Sequence, residues 1–558
     1  MTTASLKVND GLEDEEMRIR ASREIDKMGL YQLTMYMIIS VPLMLSATYS
    51  LGYAFTAGEV DYRCLVPECE NSTSAEWQPS WINYAAPTKD DKIDSCARYE
   101  VSSYNNDTET CSASSFTDEE KSCEAWVYDP HETTILNEWN ITCGDRWKLA
   151  MVGTVNNIGQ LVGLIFAGYL SDRFGRRAVL TIQTFGSGVI GVVQSFSVNY
   201  WMFVCLEFLQ ATASAGMFSS GFILGLEMVG EKRRVLGGTI ISCWYAMGEI
   251  FLGLAAMWLR SWRAVLRLFF IPGLFAIFLP AVVPESIRWL IANERTVDVE
   301  KIYKRMAKMN GFEMNEAKID LYKELNSGGA PKQEEKEDNS KNRVLTRQAL
   351  GRPKLVIRLL ACFVCWLTNT FVYYGLSLNA VAIAGDKYIN FVLVSFIEIP
   401  ANFLSCFLIN TVGRKATVSG SFFLSGVFCL AIQFLPKDAA SYLPLVMFLG
   451  GKGCITMAFS SIYVYTAEMF PTTARHSLLA MCSMTGRIGS ILAPQTRLLA
   501  SLMESLPLIL FGCMAMLAGF VSLIFPETLG SKLPDTIAEA ENIGREKPKM
   551  SAMEMTRC

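Results

Sequence analysis

Twelve apolar runs divide this chain, each about 20 residues long, the length that crosses a bilayer as an α-helix. They fall at roughly 29–53, 148–170, 178–197, 199–227, 235–259, 264–283, 356–378, 388–410, 416–435, 441–467, 477–500 and 505–525. The core of a soluble domain explains one or two such runs, not twelve. Charged residues make up only 19% of the 558, below the quarter or so of a soluble domain. They crowd into the first 27 residues, 59–148, 285–358 and the tail beyond Glu527. The expected fold is all-α and membrane-embedded.

The positive-inside rule orients it. Short gaps rich in Arg and Lys, DRFGRR at 172–177, EKRR at 231–234 and GRK at 413–415, share one side when the helix count is even. Both termini and segment 285–358 fall there too, so that side is expected to be the cytosol. The amino-terminal MTTASLKVNDGLEDEE is acidic where a secretory leader is basic, so the first run reads as a retained helix. The extracellular side receives 54–147, with Cys64, Cys69, Cys96, Cys111, Cys123 and Cys143 and glycosylation sequons at Asn71, Asn106 and Asn140. Six cysteines in an oxidising compartment read as disulfides, with fifteen pairings open. The other ten lie mostly inside the runs and read as small buried hydrophobes.

The halves repeat. DRFGRR returns as NTVGRK, Glu227 with Arg233 and Arg234 returns as Glu468 with Arg475, and PES at 284–286 returns as PET at 526–528. The spacings are 238, 241 and 242 residues, from Gly175 to Gly413, Glu227 to Glu468 and Pro284 to Pro526. Six helices repeated as six is the plan of carriers that rock two halves about a central site. The expected parts are a cytosolic 1–28, a bundle 29–283 including the loop 54–147, a cytosolic linker 284–355, a bundle 356–526 and a cytosolic tail 527–558. In the linker, VDVEKIYKRMAKMNGF has amphipathic spacing, while SGGAPKQEEKEDNSKN is polar enough to be disordered.

At helix ends, Asp172 and the arginines Arg173, Arg176 and Arg177 can pair with one another and with Glu227 or Glu231. Gly168 and Gly175 permit close helix approach. The cluster, with Gly413, Arg414, Glu468 and Arg475 at the repeated position, is expected to hold an inner gate shut. NTVGRK lacks the acid, so the second cluster should be weaker.

GYLSDRFGRR resembles the loop motif of the major facilitator superfamily. DYRC, NEWNITC, VPESIRWL, FIEIP, YVYTAEMFPTTAR and FPETLGSKLPDT narrow the likeness to the organic cation, carnitine and organic anion transporter branch, over residues 29–536. The resemblance implies twelve transmembrane helices in two pseudo-symmetric bundles and a plasma-membrane carrier.

A charge at the bilayer centre costs about 2.5–3.5 kcal/mol on insertion scales, so each intramembrane charge needs a reason. Glu207, Glu249, Glu398, Lys452, Arg487 and Arg497 are the main cases. The resemblance implies that Glu398 faces the cavity and meets cationic groups. It also implies that Arg487 stands where cation carriers have aspartate and carnitine or anion carriers have arginine. An arginine holds a carboxylate bidentately, and Glu249 adds a second acid, so the set suits a zwitterion with separated amine and carboxylate. Glu207 stands where the family commonly has arginine, and pseudo-symmetry offers Lys452 as its partner. Ring faces attract ammonium groups. Trp366, Tyr373 and Tyr374 on the seventh helix, with Phe218, Trp244, Tyr245, Tyr463 and Tyr465, are the aromatic candidates, joined by Asn156, Asn157 and Ser483 as hydrogen-bonding groups.

No P-loop is present, so ATP does not drive the cycle directly. The only histidines, His131 and His476, lie in the outer loop and at a helix end. HExxH and G-x-S-x-G motifs are absent from the spans, so an enzyme is not expected. The expected activity is transport of small organic ions, cations or carnitine-like zwitterions, driven by membrane potential or by Na⁺ or H⁺ as coupling ion. The alternatives are an organic anion exchanger and a non-transporting sensor. The expected partners are the organic ion and the bilayer, with no nucleic acid and no metal, in a monomer or weak homo-oligomer.

Overall fold

The computed structural model describes residues 29–71, 75–89, 92–101, 111, 113–229, 234–312, 351–383, 385–436, 442–531, 533–534 and 536–543. Twelve helical spans lie among them. The first half has α1 (Leu30–Thr56), α2 (Trp147–Phe174), α3 (Arg176–Gln194), α4 (Tyr200–Glu227), α5 (Arg234–Leu259) and α6 (Trp262–Val282). The second half has α7 (Pro353–Asn379), α8 (Lys387–Thr411), α9 (Arg414–Phe434), α10 (Tyr442–Met469), α11 (Thr472–Leu492) and α12 (Leu506–Ser522). Nine are long and apolar enough to cross a membrane. The others are α3 and α11, diluted by arginine, glutamine and hydroxyl residues, and α12, with 17 residues.

Within each half the helices pack as a bundle: α2 on α4, α3 on α6 and α1 on α5 in the first, α7 on α11 and α9 on α10 and α12 in the second. The halves meet along two seams, α2 against α11 and α5 against α8. Advancing six helices turns α2 into α8 and α5 into α11, so one seam is the pseudo-symmetric image of the other. Small residues let the backbones close. A Cβ on Gly153 of α2 would lie 2.8 Å from Pro494, and one on Gly253 of α5 would lie 2.8 Å from Val392.

The loop after α1 forms a separate lobe of three two-stranded antiparallel sheets. Its six cysteines pair as Cys64–Cys123, Cys69–Cys111 and Cys96–Cys143. Buried Arg63 holds Glu70 with two bonds of 2.6 and 2.7 Å. Trp139 packs edge-on against Phe203 and Trp262 at 5.7 and 5.5 Å, seating the lobe on the first half. Asn71 and Asn140 are exposed; Asn106 lies outside the described residues.

In the linker, the helix Thr296–Asn310 buries Val299, Ile302, Tyr303 and Met306 against Tyr31 and Met35 of α1. The Asn310 side-chain oxygen accepts from the Tyr31 N–H at 2.9 Å. Spacing of apolar residues at i, i+3, i+4 and i+7 makes that face. The stretch expected to be disordered, with Glu231 and Arg233, lies outside the described residues, as do the Arg234 and His476 side chains.

Candidate functional site

A cavity of about 800 Å³, counted out to where it meets solvent, lies between the halves. Its walls include Ser46 and Ser50 of α1, Gln160 of α2, Phe218 of α4, Tyr245 of α5, Tyr373 and Tyr374 of α7, Glu398 of α8, Phe459 and Tyr463 of α10 and Arg487 of α11. Aromatic walls carrying a few polar and charged groups suit a small ligand.

Glu398 owes its place to Pro400. A proline has no N–H for the carbonyl four residues back. The helix accordingly divides into Lys387–Phe396 and Glu398–Thr411, with Glu398 at the break. The Lys452 ammonium lies 2.8 Å from its carboxylate, and both are buried. The Tyr373 hydroxyl donates to Glu398 Oε2 at 2.7 Å. Lys452 also donates to the Ser377 hydroxyl at 2.7 Å and sits over the Tyr373 ring, 3.3 Å from its centroid. A buried ion pair is tolerable when further hydrogen bonds satisfy both ends, and these do.

Glu249 lies behind this pair, fully buried and outside the cavity wall. Glu398 and Ser395 of α8 act on it across the seam, as does the Lys452 ammonium. Neither carboxyl oxygen receives an N–H or O–H donor.

Arg487 belongs to a different network. Its Nη1 donates to Gln160 Oε1 at 3.2 Å. Gln160 Nε2 donates to Asn156 Oδ1 at 2.9 Å, Asn156 Nδ2 to Glu207 Oε1 at 2.7 Å and Gln194 Nε2 to Glu207 Oε2 at 2.5 Å. The partners of Glu207 are two amides, not Lys452, whose ammonium is claimed by Glu398 in the other half. Two amide dipoles join Arg487 to the buried carboxyl of Glu207. Asn157 turns away, donating to the Gly153 carbonyl at 2.8 Å. Arg497 donates to the Leu378 carbonyl at 3.0 Å, away from the cavity.

The aromatic candidates separate. Phe218 and Tyr245 meet edge-on at 5.4 Å on one wall, and Tyr374, Tyr373, Phe459 and Tyr463 form a chain on the other. Trp366 is not a wall residue. Its indole N–H donates to Thr466 at 3.1 Å, and its ring backs Tyr463 at 4.4 Å. Ser483 likewise supports Tyr463 through a side-chain hydrogen bond. Trp244 is half-buried outside the cavity, on the α5 face adjacent to Tyr245. Tyr465 is buried and donates to the Pro526 carbonyl at 2.6 Å.

At the lobe end the seam is shut. Phe55 of α1 stacks on Tyr388 at 5.6 Å and meets Phe391 edge-on at 4.9 Å. Lys387 pairs with Glu132 of the lobe, and the Tyr388 hydroxyl donates to the same carboxylate at 2.5 Å. No sequence signal marks this latch, because Glu132 and Lys387 are ordinary loop charges until the halves meet.

At the opposite end the arginine clusters brace each half internally instead of joining the two. Arg176 lies 3.1 Å from Asp172 and 3.9 Å from Glu227. Glu285 of PES accepts the Arg177 N–H at 3.0 Å, and Glu527 of PET accepts those of Arg414 and Lys415 at 3.0 and 3.1 Å. The glycines explain the fit. Gly175 and Gly413 have φ of +94° and +109°, and a Cβ there would lie 2.4 and 2.6 Å from those carboxylates. Gly168 is open, with nothing near its Cβ position. Arg173 is exposed and bonds Tyr169 at 3.1 Å. The second cluster is the tighter one. Arg414 meets Glu468 through three bonds of 3.1–3.3 Å, and the Thr528 hydroxyl adds a fourth bond at 2.6 Å. Missing the acid of the first motif does not weaken it, since Glu468 supplies the charge; Arg475 lies half-buried at the start of α11.

Residues 93–538 match the family model described as sugar (and other) transporter. The mouse solute carrier family 22 member 4 is 32% identical, over 92% of this chain and 93% of that protein. The rat organic cation/carnitine transporter 2 is 32% identical over 91% of each, and a Drosophila melanogaster organic cation transporter protein is 30% identical over 93% of this chain and 94% of its own length. The chain belongs to the solute carrier family 22 branch of these transporters. Among solved structures, the proton:xylose symporter XylE bound to 6-bromo-6-deoxy-D-glucose aligns with a TM-score of 0.57 at 15% identity, covering 91% of this chain and 98% of that one. That likeness carries the fold, the major facilitator arrangement of two six-helix bundles. The protein is accordingly a multi-pass membrane transporter of this branch, and not an enzyme.

Proposed function

We propose that the protein carries small organic ions bearing an ammonium group, cations or carnitine-like zwitterions, across the plasma membrane by alternating access. The observation that carries this reading is one cavity with Glu398 on one wall and Arg487 on another, floored by aromatic rings. An ammonium is drawn to Tyr373, Tyr245 and Glu398, and a carboxylate to the two parallel donors of Arg487. In this reading the lobe faces outside, the arginine clusters and both termini face the cytosol, and the contacts of Phe55, Tyr388 and Lys387 are the closed outer door. The membrane potential supplies about 2.3 kcal/mol per 100 mV to a monovalent cation and nothing to a zwitterion, so a zwitterion needs a coupled ion or exchange. An organic anion exchanger is the second reading, favoured by Arg487 on the cavity wall.

Uptake of labelled carnitine, tetraethylammonium and para-aminohippurate, with and without sodium and in depolarising medium, decides between them. Carnitine or tetraethylammonium uptake is expected. Arg487→Asp should lower carnitine uptake about tenfold or more and spare tetraethylammonium. Uptake of para-aminohippurate alone overturns the reading.

A further inference from the structure

A second cavity, of about 810 Å³ counted out to where it meets solvent, opens at the lobe end. It shares no lining residue with the central one. Three parts of the molecule build it. The lobe contributes Glu132, the first half Arg260 and Trp262, and the second half Lys387, Tyr388 and Arg497. The lobe also holds the turn that carries Arg260. Thr133 N–H donates to the Arg260 carbonyl at 2.8 Å, and the Trp262 N–H donates to the Thr133 carbonyl at 3.1 Å. Arg260 has a φ of +47° in that turn, a conformation a non-glycine residue keeps only where its surroundings impose it.

The wall has three cations, Arg260, Lys387 and Arg497, against two carboxylates, Glu59 and Glu132. Glu132 is taken by Lys387 and by the Tyr388 hydroxyl. Glu59 leans toward Arg146, which is 3.9 Å away and off the wall. The two arginines meet carbonyls only. Arg260 Nε donates to Met257 at 3.3 Å, and Arg497 Nη2 donates to Leu378 at 3.0 Å. Among the described residues neither forms an ion pair. The wall therefore presents surplus positive charge and two forked donors suited to a planar anion. Around them Phe55, Val265 and Val381 supply apolar surface.

We infer that this cavity is a second ligand site, which takes a small aromatic monoanion, a carboxylate or sulfonate, from outside and favours the closed outer seam. Its arginines come from opposite halves, so one ligand meets both only while the halves are together at this end. A ligand shifts a conformational equilibrium by its differential affinity for the two states. Occupancy thus slows the cycle without contesting the central cavity. This rests on the orientation and the carrier reading above.

The test uses cells expressing the full chain, labelled tetraethylammonium as substrate and poorly permeant naphthalene-2-sulfonate in the outside medium. The probe should lower the maximal rate about threefold or more without raising KM, so saturating substrate gives no relief. Uncharged naphthalene-2-sulfonamide should do nothing. Arg260→Gln and Arg497→Gln, at wild-type surface level, should keep uptake and need about tenfold or more probe. Arg487→Gln should leave the inhibition as it is in the wild type. Inhibition that raises KM alone puts the anion in the central cavity and overturns the inference. Inhibition that survives either outer substitution, or millimolar probe without effect on uptake, overturns it too. In purified protein the probe should raise Tm, and Arg260→Gln should abolish the rise, which reads the site without any transport. With that rise present and no tetraethylammonium uptake, the carrier reading fails and the site stands; with uptake present and no Arg260-dependent rise, the site fails.

Discussion

Where α2 meets α11, Arg487 donates to Gln160 across 3.2 Å; where α5 meets α8, Glu249 faces a second acid, Glu398. The two seams share one ancestral layout, and their backbones close by the same device, a glycine on the first-half helix against an apolar side chain of the second half. What differs is the charge placed at equivalent points. The α2–α11 seam exports its charge through neutral amides to Glu207, so the guanidinium keeps donors for a ligand. The α5–α8 seam concentrates charge and answers it with Lys452. A symmetric scaffold can therefore present an anion-binding wall and a cation-binding wall to one cavity, the asymmetry that a zwitterion requires.

The largest expected effect comes from stripping the charged seam. Lys452→Met leaves two buried acids without their cation and should destabilise the protein by about 3–5 kcal/mol, seen as lost surface expression and a lower Tm in detergent. Adding Glu398→Gln should restore much of it; no recovery in the double variant would mean the pair is not the cause. Next, Gln160→Glu makes the neutral seam resemble the charged one. Its carboxylate should occupy Arg487 and raise the KM for carnitine about tenfold, with tetraethylammonium unaffected or improved. Equal losses for both substrates would break the division into two walls.

Smaller changes sharpen the contrast. Glu207→Gln must seat an amide between two amide donors, so one bond is lost and stability should fall by about 1–2 kcal/mol. With Arg487 released from its distant counter-charge, the carnitine KM should fall while that for tetraethylammonium does not. Smallest is the exposed pair at the motif end. Asp172→Asn should cost under about 1 kcal/mol, measured as Tm, against about 1–3 kcal/mol for Glu285→Ala, which leaves backbone N–H groups without an acceptor.

Much of this layout is legible in the sequence, for a physical reason. A bilayer punishes every exposed charge, so apolar runs mark the twelve helices, and Glu398, Glu249 and Arg487 stand out against them. The repeat of DRFGRR, Glu227 and PES is legible too, and the structure shows why these three travel together: glycine, arginine and two acids form one contact. Gln160, Asn156 and Gln194 are not conspicuous, because neutral amides are common in helices and only their geometry makes a relay. Counting 238 residues back from Glu398 points to Gln160, a signal present in the sequence but not obvious from hydropathy. Trp366 and Gly168 misled for the opposite reason. Their residue types fit a cavity wall and a close approach, and neither type says which way its helix face turns.

The lobe has a mechanical consequence. Three disulfides make it stiff, the backbone of Thr133 pairs with Ser261 at the head of α6, and Glu132, one residue earlier, grips Lys387 of the other half. The lobe is thus a rigid bolt mounted on one leaf of a door, and the bolt must clear its strike plate before the leaf swings. A molecule that clamps the lobe to the end of α8 from outside would stop the carrier without entering the cavity.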